Sequence, residues 1–321
     1  MSVTFSGGIT FTGGGFSFTA APPSTPTAGW YAGGAYSPPQ STVYRITFAT
    51  DTATASVRSP LGATVYNTVG FGTNTYGYFA GGLRKPSGSP WLSTITRITF
   101  TNDTVTPESR GTLSIPTGGA GATSDNTTYG WIGGGVISGG STSAVNKLTY
   151  ATDTATPTSK GPLSASRYNL SATGTTSYGW FVAGFNPSAS STIDRITYAN
   201  DTATASLRGP LVTALAMAAG AVTDGTTYGW IAGGLPAISS VQRITYATDT
   251  ATASLRGPLG IVRYLASGTS DTIYGWFGGG YTPSESSSVT RITYATDTAT
   301  SVDRGPFPTT RSATGAASGI Q

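Results

Sequence analysis

The chain carries 17 lysines and arginines and 13 aspartates and glutamates, but no histidine and no cysteine. Those two absences remove most nucleophilic chemistry. A Ser-His-Asp triad has no base, a thiol nucleophile does not exist, and a Cys- or His-based metal centre has no ligands. A carboxylate pair is still able to hydrolyse a glycosidic bond. The carboxylates are poorly distributed for that role: Glu108 and Glu285 are the only glutamates, and six of the aspartates recur at one repeated position. Asp125, Asp194, Asp224, Asp271 and Asp303 belong to no visible pair, and each reads as a turn or surface residue. The tract "GGGF" from Gly13 resembles a phosphate loop only in composition, because no Lys-Ser or Lys-Thr pair and no helix follows it. The expectation is a non-enzyme without a cofactor or metal.

The charges do form a pattern. Basic residues recur at Arg45, Arg97, Lys147, Arg195, Arg243 and Arg291, and again at Arg58, Arg110, Lys160, Arg208, Arg256 and Arg304. Aspartates recur at Asp51, Asp103, Asp153, Asp201, Asp249 and Asp297, successively 52, 50, 48, 48 and 48 residues apart by subtraction. Aromatic anchors recur at Trp30, Tyr78, Trp131, Trp180, Trp230 and Trp276. With Arg167, Arg263 and Arg311, which open inner strands, 15 of the 17 cations occupy repeat positions. Such placement is architectural. The first set of cations either satisfies carbonyls between units or pairs with a turn aspartate of a neighbour. A basic annulus for nucleic acid would instead need arginines exposed on one face among aromatics, and a net charge of +4 does not favour it. The repeated tryptophans read as core rather than as stacking platforms for sugars.

The elements that must hold these residues are strands. Gly-rich turns beside abundant Thr, Val, Ile and Tyr argue for an all-β chain. The segment most like a helix, Leu211 to Val222, reads as strand plus loop and is too short to span a bilayer. Each repeat contains four short strands. In the fourth repeat they run from about Tyr168 to Thr173, from Tyr178, from Ile193 and from Thr202, with the "AND" turn between the last two. The turn aspartate is expected to accept local backbone hydrogen bonds. Alternation places Tyr178 and Trp180 on one side of the second strand, with Gly179 and Phe181 on the other. Four-stranded units of 40 to 50 residues, side by side, make a six-bladed β-propeller over residues 28–321. "AGWYAGG" has no inner strand directly before it, and "PFPTTRSATGAAS" at the C-terminus has no second strand after it. The C-terminal strand is therefore expected to complete the first blade and close the ring.

"IYGWFGGG" (Ile273 to Gly280) resembles the hydrophobic-run-then-Gly-Gly signature of kelch repeats, and "RITYATDTAT" resembles the kelch strand whose Tyr precedes an Asp-Thr turn. Arg167, Arg263 and Arg311 match the arginine that opens the kelch inner strand. The likeness covers about residues 28–315 and implies a kelch-like propeller. It departs in the outer strand, where kelch expects a tryptophan and this chain has Ala205 and Ser206. The wording "DTATASLRGPL", with the leader "SGGITFTGGG", also resembles repeat proteins of marine bacteriophages, including cyanophages. That resemblance implies a virion structural protein, a tail or fibre component or a capsid-bound decoration, made in the host cytoplasm.

The segments between second and third strands drift in length and composition: "AYSPPQSTV", "LRKPSGSPWLSTI", "VISGGSTSAV", "FNPSASSTI", "LPAISSV" and "YTPSESSSV". In a propeller they share one face, and variation gathered on one face marks a binding face. The longest holds Arg84 and Lys85, the two cations outside the repeat, and the additional Trp91. These three are the candidate binding loop. Residues 1–27 precede the repeat as a β arm, with Phe5, Ile9, Phe11, Phe16 and Phe18 around Gly-Gly breaks, followed by a stiff proline-rich linker. The arm is expected to attach the chain to other virion proteins within a multimeric assembly. A lectin-like propeller that binds host-surface glycan is the alternative reading, and a glycoside hydrolase a further one. "MSVTFSGGIT" lacks the basic start and apolar run of a secretory signal, and neither membrane insertion nor nucleic-acid binding is expected.

Overall fold

A computed structural model of the chain describes residues 9–12, 15–18, 25–34, 38–84, 91–217 and 220–319. Six four-stranded antiparallel sheets make the blades of a propeller. Blade four shows the plan: Ser171–Gly174 is innermost, followed outward by Tyr178–Val182, Ile193–Thr197 and Ser206–Leu207. Blade one is completed as expected, because Gly315–Ala317 pairs with Ala28–Ala32 and so joins the two ends of the ring. Outside the blades, Ile9–Thr12 pairs antiparallel with Gly15–Phe18, with Phe11 opposite Phe16. Phe5 lies outside the described residues.

The strands are short because each blade is buried on both faces and has little width to cover. Trp180 packs toward blade five with Ile231, Ile244 and Tyr246, whereas its neighbour Phe181 packs toward blade three with Trp131, Val145 and Leu163. Opposite sides of one strand thus feed two different interfaces, as its alternation predicts. One such apolar cluster fills every interface around the ring, including that of Trp276 and Val289 with Tyr31 and Tyr44, which joins blade six to blade one. The core is six wedges, so each aromatic serves as mortar between neighbours.

Two strand boundaries differ from the sequence reading. The inner strand of blade four starts at Ser171, because Tyr168 instead bridges Phe185 on the loop that follows the second strand. The outer strand keeps only Ser206–Leu207, because Thr202 to Ala205 turns toward blade three, where the Ala205 amide donates to the Pro162 carbonyl. In both places a contact between segments replaces a ladder that propensity alone would extend.

Around the axis, Asn67, Gly119, Asn169, Met217, Leu265 and Ala313 all take left-handed backbone, with φ of 54°, 61°, 51°, 50°, 55° and 53°. Their amides join neighbouring blades: Asn67 donates to Ala313, Ala313 to Leu265, and Gly119 to Asn67. Five non-glycine residues accept this conformation because inter-blade hydrogen bonds hold it in place. Inside the belt lies a central cavity of ≈ 110 Å³, lined mainly by glycine, alanine and serine of the inner strands. No helix among the described residues is long and apolar enough to cross a membrane.

Candidate binding face and the inter-blade latch

The repeated charges meet at the blade interfaces. In blade four, Trp180 on the second strand donates its indole N–H to Oδ2 of Asp249, the turn aspartate of blade five, at 2.8 Å. Arg195 on the third strand reaches the same oxygen at 3.0 Å, and Arg208, directly after the outer strand, approaches it at 3.5 Å. Three segments of one blade therefore converge on one carboxylate of the next. The same set recurs around the ring: Trp230, Arg243 and Arg256 on Asp297; Trp276, Arg291 and Arg304 on Asp51; Trp30, Arg45 and Arg58 on Asp103. In blade two the donor is the Tyr78 hydroxyl, 2.9 Å from Asp153, which Arg97 and Arg110 also approach. In blade three Trp131, Lys147 and Lys160 share Asp201. Asp51 receives blade six, so the last node closes the ring.

This geometry corrects the sequence reading of the aspartates. Their carboxylates are engaged by the preceding blade rather than by local backbone amides: each is the acceptor of its neighbour's latch. Of the two readings of the third-strand cations, pairing with a neighbour's aspartate is the one observed. A short 3₁₀ turn such as Tyr246–Thr248 places each aspartate and also presents an aromatic ring to the preceding blade's tryptophan. Trp180 stacks on Tyr246 at 4.1 Å, Trp230 on Tyr294 at 4.0 Å and Trp131 on Tyr198 at 3.8 Å. The "GP" after the outer cation completes the latch, because the Gly209 amide donates to the Asp249 carbonyl at 2.8 Å. A Cβ on Gly209 would lie 2.0 Å from the Ala251 carbonyl oxygen, so no other residue fits.

Electrostatics follow the geometry. Burial alone would raise the Asp201 pKa, but hydrogen bonds from Lys147, Trp131 and Lys160 hold it below the ordinary carboxylate range. Burial would lower the Lys147 pKa, and Asp201 raises it above the usual value instead. Burial, then the hydrogen bond to Asp153, pushes the Tyr78 phenol up, so it stays a donor at neutral pH. The blade-three node is thus held in its charged form near neutrality.

Four further aspartates and the three arginines ahead of inner strands are also engaged. Asp125 and Asp224 accept three backbone amides each in the tight turns between first and second strands, and Asp271 accepts two. Asp194 is neither a turn nor a surface residue, contrary to expectation. It is fully buried and pairs with Arg167 at 2.9 Å. Arg263 and Arg311 are buried at the same blade position. They donate instead to the carbonyl just after the second strand of their own blade, Gly279 at 2.9 Å for Arg263 and Gly33 at 2.7 Å for Arg311. Burial pulls the Arg263 pKa down to about 10, which still leaves it protonated at neutral pH.

The variable loops lie on the face opposite the aspartate turns, since they link second strands to third. Each is tethered at its base. Leu83 bridges both Tyr66 and Trp91, and Tyr281 bridges both Tyr264 and Glu285. Trp91 is half-buried against Leu83, Tyr66 and the flat backbone at Gly118, so it fixes the return of its loop. Arg84 is exposed, and Lys85 lies outside the described residues. Blade three carries the most structured loop, a small hairpin of Val136–Ile137 with Gly140–Ser141.

That the aromatic donor and the outer cation share the carboxylate with the third-strand cation was not read from the sequence, although a signal existed. Unit three replaces both of its cations by lysine together, at Lys147 and Lys160, as residues with a common partner can. Unit two replaces tryptophan by Tyr78, which keeps a polar donor at the ring edge. No family model matches the chain, and a comparison with curated proteins finds no match.

Proposed function

We propose that this chain is a non-enzymatic display protein, a structural component of a phage particle that presents its variable loops for binding a protein or a host surface. The observation that carries the reading is the division of labour between faces. All six repeat aspartates and both cation sets are consumed in the latch, whereas the opposite face carries loops that share a tethered base and differ beyond it. A scaffold fixed by repetition and a face free to diverge suit recognition rather than turnover. The particle assignment rests on the likeness of the repeat wording and the glycine-rich leader to marine phage proteins. The paired strands Ile9–Thr12 and Gly15–Phe18 would then serve attachment.

The lectin reading calls for repeated tryptophans exposed beside polar groups. Trp131, Trp180, Trp230 and Trp276 are at most 1% exposed, which counts against it. Mass spectrometry of purified particles, with copies counted against the major capsid protein, tests the proposal. Stoichiometric presence supports it, and the copy number separates capsid decoration from tail fibre. A chain found free and missing from particles would sink it.

A further inference from the structure

One blade departs from the plan at a single residue, and the departure leaves a pocket. In blades two to six the second strand begins with a tyrosine: Tyr76, Tyr129, Tyr178, Tyr228 and Tyr274. Each ring lies under the third-strand cation of its own blade, at 4.4, 4.4, 4.6, 4.1 and 4.0 Å. In blades three to six that ring also meets the edge of the latch tryptophan, as Tyr274 does with Trp276 at 5.7 Å and 66°. Blade one begins "AGW", with Ala28 in place of the tyrosine.

No described residue of the propeller takes the ring's place. A pocket of ≈ 390 Å³ occupies the site, walled by Trp30, Arg45 and Phe100 of the latch, by Thr25 and by Asn74. Trp30 and Phe100 stack at 3.8 Å and 7°, so the pocket has a rigid aromatic wall. Arg45 keeps its aspartate contact but has lost its π partner. Its side chain is 29% exposed, against 16 to 21% for its five counterparts. The Oδ1 of Asn74 is buried there without a hydrogen-bond partner.

We infer that this pocket is a binding site for an aromatic ring supplied from outside the propeller, a phenyl or phenol group that lies under Arg45 and edge-on to Trp30. Five copies of the same cradle hold a phenol ring, and the sixth keeps the cation, the tryptophan and the volume. The ring's negative face would meet the guanidinium, an attraction that grows where water is excluded. The inference is independent of the particle assignment. It requires only that the pocket be open to a ring borne by a ligand, or to one borne by the chain's own N-terminal segment.

The test is thermal denaturation of the full chain with and without millimolar p-cresol, together with NMR contacts between cresol and the Trp30 indole. The wild type is expected to gain Tm with rising cresol and to show contacts from the ring to Trp30. Ala28→Tyr is expected to melt higher than wild type without cresol and to ignore cresol. If the wild type does not respond, a full-length variant with Phe5, Phe11, Phe16 and Phe18 all replaced by alanine decides the source. A response in that variant alone assigns the ring to the chain's own segment and supports the site. No response in either protein overturns the inference. So does a response unaccompanied by contacts to Trp30, or one that Ala28→Tyr retains. If Ala28→Tyr does not fold, the Trp30 contacts alone decide.

Discussion

Replacing Asp249 by alanine removes one node of the latch and leaves its donors in place. The Trp180 indole N–H loses a 2.8 Å acceptor inside a buried interface, and Arg195 and Arg208 lose their common counter-charge. Breaking a fully buried pair from one side costs about 3–5 kcal/mol, and an orphaned buried donor contributes about 1–3 kcal/mol of such a loss. Arg195 and Arg208 are 21% and 17% exposed, so water recovers part of the cation term. A loss of about 3 kcal/mol follows. For a chain of 321 residues it lowers Tm by about 4–5 °C. Asp249→Asn keeps an acceptor for the indole and loses only the charge, so it should cost about half as much. Denaturant titration of both variants, with calorimetry alongside, measures the series. A loss below about 1 kcal/mol for Asp249→Ala would refute the latch as a stabilising device, because that is the range of a solvent-exposed pair. Asp51→Ala should match Asp249→Ala, since the closing node has the same three donors.

Three further outcomes follow from the same geometry. Gly209→Ala forces a Cβ against the Ala251 carbonyl and should destabilise by about 1–3 kcal/mol in the same titration, whereas Gly62→Ala, with open space around its Cα, should not. Burial, with Asp51 adding to it, raises the Asp271 pKa, so the folded state binds the proton more tightly than the unfolded chain does. Its contribution to stability therefore falls as pH rises from the unfolded value of about 3.9 through the raised folded value. Asp271→Asn keeps an amide acceptor and should gain on wild type across that window in melts from pH 3 to 7. A variant that instead lost stability as pH rose would reverse the sign of this account. Asp201 and Lys147 act in the opposite sense: the depressed carboxylate loses its contribution as pH falls through its folded pKa, and the raised amine loses its own as pH rises through its folded pKa. Asp201→Asn should therefore flatten the acid limb of the melting profile.

Much of the architecture was legible because repetition turns one weak pattern into six. The aromatic-Gly-Gly strand, the basic strand and the aspartate turn were readable, and so was the ring closure by Gly315–Ala317, since a lone inner strand needs a partner. Pairing of a third-strand cation with a neighbour's aspartate was one of two open readings, but the convergence of three side chains on that aspartate stayed hidden. Asp249 looks like a turn residue in one unit, and only the neighbouring blade shows that Trp180, Arg195 and Arg208 converge on it. The shortened outer strand at Ser206–Leu207 has the same origin, because Thr202 to Ala205 is claimed by blade three. Asp194 was misjudged because its partner Arg167 lies in the link before the inner strand, and no local pattern announces a buried pair. The alanine at position 28 was visible in "AGW" against "YGW", but its meaning depended on the ring that the other five blades place over a cation.

The central claim is that six equivalent latches hold one ring, and amide hydrogen exchange in the native state tests it most directly. The amides of Gly161, Gly209, Gly257 and Gly305 donate to the neighbouring aspartate carbonyls at 2.8 to 2.9 Å. They should exchange only through global unfolding, with equal protection in all four and the free energy found by denaturant titration. Protection that fell from blade to blade, or latch amides that exchanged as fast as those of the variable loops, would contradict it.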